Sequence, residues 1–394
     1  MQEKLDQMSR PQAIRYHRAL RGKIFVGSRA RLRSRKDLSL AYTPGVAAAS
    51  LAIAKEPDAA YELTRKWNLL AVATDGSRVL GLGNIGPLAA LPVMEGKCVL
   101  FRELGGIDAF PVCVASRGTS DFVETVVRVS PAFGAINLED IEAPRCFEVE
   151  QRLRRMLDIP VCHDDQHGTA IAVLAALRNA LRVVGKSPGC AKIVVVGAGA
   201  AGIATAKLLV AAGIRDVTLC DSHGVLHEGR KDLNRWKREV ARMTNRECAE
   251  GSCTLAVRGA DAIIGLSVPG SITREMIKKM SDRPIVFALS NPVPEIMPAR
   301  AIEAGAEVVA TGRSDFPNQV NNALAFPGLF RGALDVRARE INTEMMLAAS
   351  EAIERCVPEP SAGRIVPSVL DRRVAKGVAA AVGKAARETG VARA

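Results

Sequence analysis

Short apolar runs alternate with helix-like segments through the second half of the chain. Residues 192–209 read KIVVVGAGAAGIATAKLL, a β-branched run followed at once by a glycine turn and a small-residue helix. Further runs stand at 217–220, 262–266, 285–289 and 307–310. This rhythm predicts a parallel, doubly wound sheet. In the first half, residues 1–40 predict an amphipathic helix and then a basic connection, and a Thr43-Pro44-Gly45 turn opens a small-residue helix. LLAVAT at 69–74 predicts a buried strand, and AFGAINLEDIEA and IPVCHDDQHGTAIAVLAAL each place acids at the end of an apolar run. From Gly332 the pattern is helical, with a loop around 358–361. The fold class is therefore α/β: an amino-terminal α/β domain over 1–164, then a Rossmann-type dinucleotide-binding domain with carboxy-terminal helices over 165–394.

The turn after the run at 192–196 spaces Gly197, Gly199 and Gly202 as G-x-G-x-x-G. The first glycine permits the turn, the second lets a pyrophosphate approach, and the third lets helix and strand pack closely. Ala200 and Ala201 begin the helix. Asp221 closes the next run, where a carboxylate can bond an adenosine ribose. Gly81, Gly83 and Gly86 imitate the same spacing, but Pro87 and Pro92 are expected to interrupt the helix that should follow, and no acid ends a following strand. They predict a loop whose backbone approaches something closely, flanked by Arg78 and Lys97. Ser267 and Asn291 fall at strand ends where a cofactor would lie, whereas Asn321 and Asn322 read by spacing as turn formers.

Glu139-Asp140 and Asp164-Asp165 admit two readings. Acids at helix N-termini complement the macrodipole, and clustered carboxylates also hold Mg²⁺ or Mn²⁺. His163 and His167 read as structural, and Tyr42 by itself reads as a packing residue.

Composition narrows the class. Net charge is +12, yet the basic residues are dispersed apart from 29–36 and aromatics are only 4%, which favours an anionic small molecule over nucleic acid. No apolar run approaches the roughly eighteen residues of a membrane span, and the first ten residues carry acids and no apolar segment, so a soluble, cytoplasmic protein without membrane partners is expected. The nine cysteines form no C-x-x-C pair, and Cys98, Cys113 and Cys190 read as reduced, buried thiols.

Taken together, DLSLAYTPGVA, VLGLGNIGPLAALPVMEGKCVLF, FGAINLEDIEAPRCFEVE, IPVCHDDQHGTAIA, GAGAAGIA, FALSNPVPEI and ATGRSDFPNQVNNALAFPGLFRGALDVRA resemble the short bacterial malic enzymes over almost the whole chain. The resemblance implies oxidative decarboxylation of malate to pyruvate and CO₂ with NAD or NADP. It makes Tyr42 the general acid and Lys97 the general base. Glu139, Asp140 and Asp165 become ligands of Mn²⁺ or Mg²⁺, with Asp164 close behind. Arg78, Asn291 and Asn322 would meet substrate, Asn291 also the nicotinamide side. A homodimer or higher homo-oligomer is implied as well. Trp67-Asn68 and Arg21-Gly22-Lys23 depart from the family's usual Gly-Asn and Pro-Gly-Lys, and no phosphotransacetylase-like extension is expected. As a base, Lys97 would need its pKa tuned downward. Asp221 leans the cofactor toward NAD, although Lys237 and Arg238 could reach the same position. Two alternatives remain open here: a malolactic enzyme that releases lactate, and a non-catalytic dinucleotide-binding regulator.

Overall fold

The structure is a computed structural model that describes the backbone of residues 2–394 and the side chains from Pro11 onward. Two sheets form. The first has β1 (Leu69–Thr74), β2 (Asp108–Cys113), β3 (Ala135–Leu138) and β4 (Val161–His163) in the order β2-β1-β3-β4, all parallel. The second has β5 (Lys192–Val196), β6 (Asp216–Asp221), β7 (Gly224–Val225), β8 (Ala262–Gly265), β9 (Ile285–Ala288) and β10 (Val308–Thr311) in the order β10-β9-β8-β5-β6-β7. Only β7 in that sheet is antiparallel. Strands covered on both faces by helices must be apolar along their whole length, which is why runs such as LLAVAT and KIVVV carry no alternation.

The helix Asp164–Val184 runs between the two halves. Its Ala170–Leu177 stretch is wholly buried, and one continuous core joins both sheets through it. The helices Phe326–Asp335 and Arg372–Glu388 return to the amino-terminal half, where Phe326 and Phe330 stack on Phe101 with ring centroids 4.7 and 5.5 Å away. Loops leaving the carboxy-terminal ends of β1, β3 and β4 therefore face those leaving β5, β8 and β9. A Cβ on Gly81 would stand 2.9 Å from the Asn291 carbonyl, so these loops touch across the cleft.

Two sequence expectations need correction. Pro87 and Pro92 do not interrupt a helix; both lie within Gly86–Gly105. Pro87 sits in the first turn, where no N–H is needed, and only Pro92 removes a bond. Cys190 is exposed and Cys113 only half-buried, although all nine thiols are free. Separately, an 18-residue window within Arg35–Lys55 reaches a mean hydropathy of 1.2 with no residue buried. It is not one span but two helices, Arg35–Ala41 and Val46–Lys55, broken at Tyr42–Gly45.

Candidate active site

Lys97 lies on the helix Gly86–Gly105 and is turned into the core. Its Nζ is 2.6 Å from Asp164 Oδ2 and 2.8 Å from Glu139 Oε1, and it stands 4.2 Å from the Phe326 ring centroid. Burial disfavours the ammonium, but the two carboxylates outweigh it and hold Lys97 well above its ordinary pKa. In this form of the protein Lys97 is thus charged, the reverse of the downward tuning expected.

Glu139 and Asp140 leave the end of β3, and Asp165 lies in the first turn after β4. Their carboxylate oxygens lie within 4.8 Å of one another. Asp140 adopts a left-handed backbone (φ 55), which turns its N–H to Asp165 Oδ2 at 2.8 Å and its carbonyl to the Arg78 N–H at 2.9 Å. Asp140 Oδ2 is buried without a partner. Burial and the neighbouring Asp165 push the Asp140 carboxyl up to about 7, and burial also raises Glu139 and Asp164. For Asp165, burial is outweighed by His163, Lys97 and the Asp140 N–H, which hold it low. An orphaned oxygen among three crowded carboxylates is the donor set that a hard divalent cation requires, so the residues fit the implied Mg²⁺ or Mn²⁺. A second group, Glu150, Cys162 and His167, is similarly close, but there Glu150 is already hydrogen-bonded to His167 at 2.9 Å.

Asn322 donates to Asp164 Oδ2 at 2.7 Å, which joins the two halves at the cluster. Asn321 instead caps the next short helix by accepting the Ala323 N–H, as its spacing predicts. Arg78 is exposed beside Asp140, and Asn291 lies on the opposite lip. Tyr42 is 68% exposed at the end of Arg35–Ala41, and no hydrogen bond among the described residues joins its side chain to the Lys97 cluster. Arg145, which sequence reasoning missed, pairs with Asp75 and donates to Ser77 Oγ at 3.0 Å, pinning the loop after β1.

On the facing wall, Gly197 has φ 117, and a Cβ there would lie 2.3 Å from the Leu266 carbonyl. A Cβ on Gly202 would lie 1.7 Å from the Gly197 carbonyl, whereas one on Gly199 would meet nothing within 4 Å. The open space at Gly199, before the first N–H groups of Ala200–Ala211, suits an anion. Asp221 is not a free carboxylate: Arg230 bonds it at 2.8 and 3.2 Å and Lys237 at 2.6 Å. Those cations outweigh burial and draw it down to about 2. Arg238, named with Lys237 from sequence, bonds the Leu233 carbonyl instead. Buried Glu295, also missed, accepts the Ser267 N–H at 2.8 Å and the Ser290 N–H at 2.9 Å, tying together the loops that leave β8 and β9.

Fold and cleft together define a two-domain α/β enzyme in which a dinucleotide-binding domain faces a lysine and a carboxylate cluster. Residues 166–387 match the family model of the malic enzyme NAD-binding domain, and 23–121 with 116–154 match the malic enzyme N-terminal domain. The chain belongs to the malic enzyme family. It is 54% identical to a bifunctional malic/malolactic enzyme of Bacillus subtilis, over 98% of this chain and 94% of that one. It is 48% identical to an NADP-dependent malic enzyme of Halomonas elongata, over 98% and 95%. A crystal structure of malic enzyme from Pyrococcus horikoshii superposes with a TM-score of 0.93 at 47% identity, covering 98% of this chain and 92% of that one.

Proposed function

We propose that this protein oxidises malate at C2, with hydride passing to NAD or NADP, and releases CO₂ and pyruvate. The observation that carries the reading is Lys97 held between Glu139 and Asp164 beside the crowded carboxylates, in a cleft whose other wall is the glycine turn. Once Lys97 has passed its own proton to Asp164 Oδ2, 2.6 Å away, its free amine takes the C2 hydroxyl proton, the C2 hydride leaves for the nicotinamide, and the carboxylate on C3 departs as CO₂. Glu139, Asp140 and Asp165 would hold a divalent cation, which supplies polarisation of the substrate oxygens and stabilises the charge left by decarboxylation. Tyr42 returns a proton to C3, a role that rests on the resemblance. Arg78 suits a substrate carboxylate by its position beside Asp140.

Asp221 alone would favour NAD, the reading we keep, but Arg230 and Lys237 offset its repulsion of a 2′-phosphate and support use of NADP as well. The free thiols support a reducing, cytoplasmic setting. A second copy of the chain is the partner best suited to the uncovered helices Arg35–Ala41 and Val46–Lys55, so a homodimer is proposed.

Malate oxidation should be measured with NAD and NADP in parallel, with and without a chelator, for the native protein and Lys97→Ala. The reading expects loss of activity on chelation and at least a hundredfold loss in the variant, in the range of roughly 10²–10⁴ for acid–base groups. Activity surviving both would sink it. The bifunctional Bacillus subtilis relative favours one second reading, release of lactate without net cofactor reduction, and product analysis separates the two.

A further inference from the structure

Behind the carboxylate cluster lies a hydrogen-bonded relay that none of the reaction's proposed steps uses. Its hub is Glu150, buried on the helix Arg145–Met156. Glu150 Oε1 accepts the His163 backbone N–H at 2.9 Å. Glu150 Oε2 accepts from Gln166 Nε2 at 3.1 Å and from His167 Nε2 at 3.0 Å. The same Gln166 nitrogen lies 3.0 Å from His163 Nδ1. On the far side of that ring, His163 Nε2 stands 3.1 Å from Asp165 Oδ2, off the line of a straight hydrogen bond.

Counting donors fixes the orientation of the amide. His167 and the His163 backbone outweigh burial and hold Glu150 ionised, down to about 2, so it only accepts. Gln166 must therefore present its amide nitrogen to Glu150, because a flipped amide would set oxygen against carboxylate. That nitrogen has two hydrogens, one for Glu150 and one for His163 Nδ1, so Nδ1 accepts. On the other side of the ring, His163 Nε2 faces Asp165 Oδ2 at 3.1 Å, and the same oxygen takes the Asp140 N–H at 2.8 Å. Both contacts fall on one oxygen of Asp165 and leave Oδ1 unclaimed by either.

We propose that Gln166, locked by Glu150, is a positioning residue: it holds the His163 ring in place and through it orients Asp165 for the divalent cation. The proposal rests on the carboxylate cluster being a cation site. It assigns a role to the Gln in DDQH that neither acid–base chemistry nor substrate contact explains. His167 braces Glu150 from the other side, where it helps line a cavity of about 620 Å³.

Mn²⁺ titration of the protein without substrate, followed by electron paramagnetic resonance, tests this. Wild type, Gln166→Leu, Glu150→Gln and Asp140→Asn are compared, with NADH binding by fluorescence and thermal midpoint measured on each. Groups that orient metal ligands typically contribute about 10–100-fold in affinity. Gln166→Leu and Glu150→Gln are expected to weaken Mn²⁺ by that factor while NADH affinity stays within about threefold, and Asp140→Asn to abolish Mn²⁺ binding. A purely structural role would lower the thermal midpoint and NADH affinity together. If Gln166→Leu fails to fold, the isosteric Glu150→Gln, which turns one of the two acceptor oxygens into a donor and so leaves one donor in the relay without its acceptor, carries the same expectation. Unchanged Mn²⁺ affinity in a folded relay variant, with Asp140→Asn inactive in binding, overturns the relay and spares the metal site. Undiminished Mn²⁺ binding in Asp140→Asn overturns the metal site and the relay with it.

Discussion

Glu139 and Asp164 reach Lys97 from two different strand ends; the sequence marked both acids as members of pairs that end apolar runs, but no local spacing relates either of them to Lys97. Glu150 left a fainter trace: Cys146, Val149 and Leu153 form an apolar helical stripe, and an acid on that stripe is a buried acid. Arg230 and Glu295 left none, since each acts on a backbone or side chain that only the folded chain brings near. The Glu150 carboxyl, lowered from its ordinary 4.5 to about 2 by the neighbouring histidines, predicts a pH effect. Its ionised form is favoured in the folded state, so its stabilisation is complete above about pH 4.5 and is lost as pH falls through about 2. The stability advantage of wild type over Glu150→Gln in urea unfolding should therefore shrink by about 3 kcal/mol across that window. A constant difference would show that the charge is not what stabilises. At the ribose end, Lys237→Ala removes a charge-assisted bond worth about 1.5–3 kcal/mol, so kcat/KM with NADP should fall roughly tenfold or more while NAD changes little. Equal losses with both cofactors would assign Lys237 to structure alone.

Among elements, the unit from β5 into Ala200–Ala211 was the most legible, because strand, turn and helix start are adjacent in sequence and each glycine has a separate geometric cause. Two variants distinguish those causes. Gly202→Ala puts a methyl 1.7 Å from the Gly197 carbonyl and should cost about 1–3 kcal/mol in stability as helix and strand part. Gly199→Ala meets no protein atom within 4 Å, so the thermal midpoint should hold while NADH affinity falls, as fluorescence titration would read. Reversal of that pattern would mean the cofactor does not lie over Gly199. The helix Gly86–Gly105 was misjudged because the proline rule was applied without regard to position: Pro87 occupies the one turn that tolerates it.

For the molecule as a whole, the periodic runs disclosed a doubly wound sheet, whereas the uncovered amino-terminal surface had no sequence signature beyond hydropathy. Leu51 is 71% exposed on a helix with no buried residue, on a face that another surface would cover. Light scattering after gel filtration should give twice the chain mass for wild type and a shift toward monomer for Leu51→Glu. A wild-type monomer at micromolar concentration would remove the homodimer from the proposal.

Phe326 and Phe330, carried on a helix beyond the second sheet, close over Phe101 on the helix that bears Lys97. The chain is therefore laced rather than strung. The cofactor half cannot be exchanged for that of another dehydrogenase by a single crossover near residue 164, since the junction would strip the lysine helix of its aromatic lid. A chimera intended to change the cofactor must be cut twice, keeping both ends of the chain from one parent.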